Sequence, residues 1–86
     1  MLTKQVVISN PTGLHARPAA QLVALCKKFE STVSLHAGER KCNAKSIFDV
    51  LRCCIGIGEA IDVVVDGSDE HAALDEIVSF INDLIE

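Results

Sequence analysis

Apolar and polar positions change rhythm several times along the chain, and each rhythm predicts an element. Val6, Ile8 and, less cleanly, Leu2 alternate with polar residues, the period-two pattern of a half-buried strand, and the run ends in the loop Ser9-Asn10-Pro11-Thr12-Gly13. From about Ala16 the apolar positions Ala19, Leu22, Val23, Cys26 and Phe29 recur at helical spacing, which predicts a helix of about three to four turns. Thr32 to Ala37 alternates again through Val33 and Leu35, and Gly38-Glu39 reads as a tight turn into a short strand through Arg40, Lys41 and Cys42. Ser46 opens a short helix carried by Ile47, Val50, Leu51 and Cys54, which Gly56 and Gly58 break. Ile61, Val63 and Val65 alternate into a fourth strand. After Gly67, Ser68-Asp69-Glu70 supplies a cap and first-turn negative charge to the strongest helical stripe, Leu74, Ile77, Val78, Ile81, Leu84 and Ile85.

The order βαββαβα predicts an α+β fold, a four-stranded, mainly antiparallel sheet with three helices packed on one face. At 86 residues the chain has room for one domain, residues 1–86, and no internal repeat interrupts it. Apolar residues are 49% of the chain, yet Trp and Tyr are absent and Phe occurs three times, so Val, Ile, Leu and Ala must build the core.

Charge narrows the partners. Twelve acidic residues against eight basic ones give a formal charge of −4, and no cluster of Lys and Arg forms a nucleic-acid footprint. No window approaches the ~18 apolar residues of a membrane span, and no signal peptide opens the chain. A cytoplasmic monomer with no membrane attachment is the expectation. Cys26, Cys42, Cys53 and Cys54 are expected as free thiols in a reducing compartment, with Cys26, Cys53 and Cys54 acting as small buried hydrophobes. No Cys-x-x-Cys or His-x-x-x-His spacing indicates a metal, and neither metal nor cofactor is expected.

The chemistry lies in Gly13-Leu14-His15-Ala16-Arg17-Pro18-Ala19-Ala20, which puts a histidine and an arginine where a loop becomes a helix. Pro18 suits a first turn but disfavours an α conformation at Arg17, so the helix begins at either Ala16 or Pro18. In both cases backbone N–H groups near Ala16 and Arg17 point toward His15. Such an end carries partial positive charge and binds anions, and a guanidinium grips phosphate oxygens by paired hydrogen bonds. The same field favours a neutral imidazole, the form that attacks phosphorus. The plainer alternative is that His15 caps the helix or sits in solvent.

Asn10 to Val23 (NPTGLHARPAAQLV), with Lys45-Ser46-Ile47 downstream, resembles the histidine-containing phosphocarrier (HPr) family of the bacterial phosphoenolpyruvate:sugar phosphotransferase system, over nearly the whole chain. The resemblance implies an open-faced β-sandwich. It implies that enzyme I phosphorylates His15, that the group passes to a sugar-specific enzyme IIA, and that Arg17 stabilises the phosphate. It further implies that Ile47 and Phe48 dock partners, with Ala20 and Leu51 on the same surface, although Ile47 and Leu51 also suit a core. Ser46 matches a serine modified by an ATP-dependent kinase and restored by a phosphorylase, the modified carrier then assisting a catabolite-control regulator. On spacing alone, Ser46-Ile47-Phe48-Asp49 has the form of a capping box. Asp49 stands where many relatives have Gly or Lys, and its carboxylate is expected to repel a phosphate on Ser46. A regulatory paralogue working through Ser46 without sugar uptake is the alternative function.

Overall fold

Seven elements succeed one another along residues 1–84, the part of the chain that the computed structural model describes. They are β1 (Leu2–Val7), α1 (Ala16–Cys26), β2 (Thr32–Ala37), β3 (Arg40–Asn43), α2 (Ile47–Arg52), β4 (Ala60–Asp66) and α3 (Glu70–Asn82). Ile85, part of the predicted stripe, lies outside the described residues. The sheet order is β1-β4-β2-β3, and all three pairings are antiparallel. β1 and β3 are therefore the rims. Gly38, at φ +62°, and Glu39 turn β2 into β3, with Ala37 opposite Arg40.

Alternation along the strands puts Val6, Val33, Leu35, Cys42, Ile61, Val63 and Val65 on the buried face. Thr3, Gln5, Val7, Lys41 and Asn43 stay exposed. Against the buried face α3 lays its stripe over β1 and β4, α2 meets β3, and α1 packs on α2 and α3. Ile77 and Leu22 are among the side chains fully removed from water, each contributing about 1.5–3 kcal/mol.

Two expectations change. Asp69 precedes α3 but makes no side-chain capping bond to it. Its carboxylate instead accepts the backbone N–H groups of Glu30 at 2.9 Å and Ser31 at 3.0 Å, and the Ser31 hydroxyl. Those bonds, the hydroxyl first, hold the Asp69 carboxyl below its usual range. Gly67 makes the close approach possible, since a Cβ there would lie 2.6 Å from Ser31 Cα. The second change is Cys54. Cys26, Cys42 and Cys53 are buried free thiols, but Cys54 is exposed, just past the end of α2 with φ +51°. A left-handed residue commonly ends a helix at this position, and its N–H bonds the Leu51 carbonyl at 3.2 Å. Burial pushes the thiols of Cys26 and Cys42 up to about 12, so both stay protonated at neutral pH.

Candidate functional site

The segment before α1 is fixed by backbone bonds on both sides. Gly13 N–H donates to the Asn10 carbonyl at 3.1 Å, and the buried Asn10 amide donates to the Gly13 carbonyl at 2.8 Å. Gly13 has φ +64°, and a Cβ there would stand 2.6 Å from the Ile55 carbonyl oxygen and 2.7 Å from Gly56 Cα. Only glycine meets both demands. Leu14, itself buried, then donates its N–H to that Ile55 carbonyl at 2.9 Å.

His15 follows as the cap residue of α1, extended at φ −82° and ψ −172°, and its carbonyl accepts Ala19 N–H at 2.8 Å. The helix thus begins at Ala16, the earlier of the two expected starts. His15 caps through its backbone alone. Its side chain makes no capping bond and is exposed, and the first turn of α1 carries no acidic residue. Arg17 is exposed on that same turn, while Pro18 and Ala19 are buried. The positive end of the helix dipole is therefore not offset by a carboxylate of its own first turn.

His15 lines a hollow of about 520 Å³ with Thr12, Ala16, Leu51, Cys54 and Gly56. The stretch after α2 supplies part of the hollow's floor through Cys54, Ile55 and Gly56, a role that its sequence did not predict. The local pattern there gave no signal, because the floor is recognisable only through the Leu14 and Gly13 contacts made from elsewhere. A second hollow of about 390 Å³, between Leu25 and the Asp75, Glu76, Ser79 and Phe80 side of α3, shares no residue with the first.

The predicted docking residues divide. Phe48 is 83% exposed, and Ala20 is also exposed. Ile47 and Leu51 are half-buried and pack against the core, and Leu51 also faces the histidine's hollow. Ser46 caps α2 by accepting Asp49 N–H at 3.4 Å. The reciprocal half of the capping box is not made. The Asp49 carboxylate instead accepts Asn43 N–H at 2.7 Å and pairs with Arg52 at 2.5 Å, and those bonds, Asn43 first, hold it below its usual range. The carboxylate thus bonds Asn43 and Arg52 rather than the Ser46 N–H, which donates to the Asn43 carbonyl at 3.0 Å.

Among the described residues no group of three or more His, Cys, Asp or Glu side chains could hold a metal ion. No described helix is long and apolar enough to cross a membrane.

Sheet, helices and histidine together define an α+β open-faced sandwich that presents the exposed His15 imidazole at the start of α1. Residues 2–83 match the family model described as PTS HPr component phosphorylation site, and the chain belongs to that phosphocarrier family of the bacterial phosphotransferase system. It is 42% identical over 74 residues to the phosphocarrier protein HPr of Xylella fastidiosa, covering 86% of this chain and 83% of that one. With the HPr-like protein Crh of Halalkalibacterium halodurans it shares 38% over 81 residues, 94% and 96% of the two chains. An HPr crystal structure from Thermoanaerobacter tengcongensis superposes with a TM-score of 0.92 at 35% identity, over 95% and 92% of the chains. An HPr dimer from the same organism superposes with a TM-score of 0.75 at 35% identity, over 95% and 94%.

Proposed function

We propose that the protein carries a phosphoryl group on His15, taking it from phospho-enzyme I and passing it to sugar-specific enzyme IIA domains. The observation that supports this most directly is the exposed imidazole at the start of α1, with Arg17 exposed on the first turn and no first-turn carboxylate. A neutral ring nitrogen attacks phosphorus, the new P–N bond forming as the bond to the donor breaks. The Arg17 guanidinium and the helix start offset the charge on the phosphoryl oxygens. Onward transfer runs the same step in reverse, with the acceptor's nucleophile attacking.

The 86 residues act as one domain, a monomer in the cytosol, and Ala20, Ile47, Phe48 and Leu51 form the docking surface for both partners. Incubation with enzyme I and radiolabelled phosphoenolpyruvate should place an acid-labile, alkali-stable phosphate on the protein. Equal labelling of His15→Ala would overturn the reading.

Similarity to the Crh relative supports a second reading. In it Ser46 is phosphorylated by an ATP-dependent kinase, cleared by a phosphorylase, and used toward a catabolite-control regulator, with no part in sugar uptake. The direction of the Asp49 carboxylate away from the Ser46 N–H favours that site's availability. Restoring sugar uptake to a strain lacking its own carrier separates the two, since only the carrier does so.

A further inference from the structure

The hollow beside His15 rests on residues 53–59, and that loop has its own fastening. Arg40, at the start of the rim strand β3, spreads its guanidinium over three places. Nε donates to the Ala37 carbonyl at 3.3 Å, and Nη1 donates to the Cys53 carbonyl at 2.6 Å and the Cys54 carbonyl at 3.4 Å. Nη2 pairs with the Glu59 carboxylate. The second oxygen of Glu59 accepts Gly56 N–H at 2.6 Å, and these bonds hold the Glu59 carboxyl below its usual range, the Gly56 contact contributing most. The Arg40 side chain thereby meets two carbonyls that the end of α2 leaves without helical donors.

The bonds continue toward the histidine. Gly56 follows Ile55, whose carbonyl accepts Leu14 N–H at 2.9 Å, and Gly56 Cα and the Ile55 oxygen are the atoms against which Gly13 is packed. The far end of the loop is tied to the end of β1, where Ile8 N–H reaches the Glu59 carbonyl at 2.9 Å and Gly58 N–H reaches the Ile8 carbonyl at 2.7 Å. A displacement of Ile55 and Gly56 therefore moves the residue immediately before His15.

We propose that Arg40 and Glu59 are positioning residues for His15, a clamp outside the site that fixes the 53–59 loop and, through Ile55 and Gly56, the Gly13-Leu14-His15 backbone. The proposal rests on the carrier reading for its rate effect and on geometry alone for its structural effect. Neither residue lines the hollow beside His15. An ammonium cannot span the three sites that one planar guanidinium reaches, so Arg40→Lys behaves as a loss of the clamp.

The test combines stopped transfer assays with amide hydrogen exchange on the full chain. Arg40→Gln, Arg40→Lys and Glu59→Gln should each slow His15 phosphorylation at saturating phospho-enzyme I by about tenfold, a misplacement effect rather than a binding one. Leu14 and Gly58 amides should exchange faster in the same variants. Arg40→Gln with Glu59→Gln together should be no slower than either alone, because one clamp is lost once. Ile77→Val, in the core away from the hollow, serves as a stability control and should leave the rate at the wild-type value. Wild-type rates in the clamp variants, unchanged Leu14 exchange, or multiplicative losses in the double variant would overturn the proposal. If wild type takes no phosphate at all, the carrier reading falls, and the Leu14 exchange still decides whether the clamp positions His15.

Discussion

The two helix starts that carry the candidate phosphate residues are built in opposite ways. At α1 the cap residue contributes only its backbone, the side chain of His15 stands in solvent, and the first turn holds no acid. At α2 the Ser46 hydroxyl accepts Asp49 N–H, and the Asp49 carboxylate sits in the first turn, engaged with Asn43 and Arg52. One start is held from outside, by Gly13 and Leu14 on the 53–59 loop, and keeps its polar end for a visitor. The other is held by its own cap, the Ser46 hydroxyl accepting Asp49 N–H, with the Asp49 carboxylate turned to Asn43 and Arg52. Under the proposed phosphate chemistry, stability and reactivity fall to different residues at α1 and to the same residues at α2.

Gly13→Ala should break the α1 side most severely. A left-handed φ and a Cβ 2.6 Å from the Ile55 oxygen together cost about 2–3 kcal/mol, read as a lower urea midpoint. Ser46→Ala, removing a long capping bond of 3.4 Å, should cost about 0.5–1 kcal/mol in the same measurement.

Acid offers a third comparison. The Asp49 carboxyl is held low when folded, by Asn43 first and then Arg52, so its contribution is complete above the unfolded value of about 3.9 and disappears as pH falls through the lower folded value. Asp49→Asn should therefore lose less stability than wild type between neutral pH and about pH 3, as urea midpoints would register. Smallest of all, His15→Ala should leave the urea midpoint within about 0.5 kcal/mol, because an exposed side chain without a capping bond holds nothing together.

Local rhythm made all seven elements legible, down to the two-residue turn at Gly38-Glu39, because the alternation of Val33, Leu35 and Ala37 and the helical spacing around Ile77 are properties of neighbouring residues. His15 and Arg17 stood out for the same reason, being adjacent to the helix start they decorate. Side chains that act at a distance were not legible. Asp69 reads as a helix cap from its neighbours, yet it binds Glu30 and Ser31, far back in the sequence. Asp49 reads as half of a capping box, yet it reaches back to Asn43. Cys54 reads as buried by helical spacing, but α2 ends at Arg52 and a left-handed turn directs it outward. Spacing cannot foresee a carboxylate's choice between two nearby donors, since that choice is set by tertiary approach.

The rims of the sheet bear on how copies of this chain behave in company. Lys4 lies on β1 and Lys41 lies on β3, both exposed. A second molecule that added its own β1 or β3 to either rim would bring cation toward cation, and strands of four and six residues offer few ladder bonds in compensation. Open-ended stacking of sheets, the route by which strand-rich proteins become fibrils, is discouraged at both of its starting points. Concentrated solutions of this protein should accordingly stay clear and free of thioflavin-positive material.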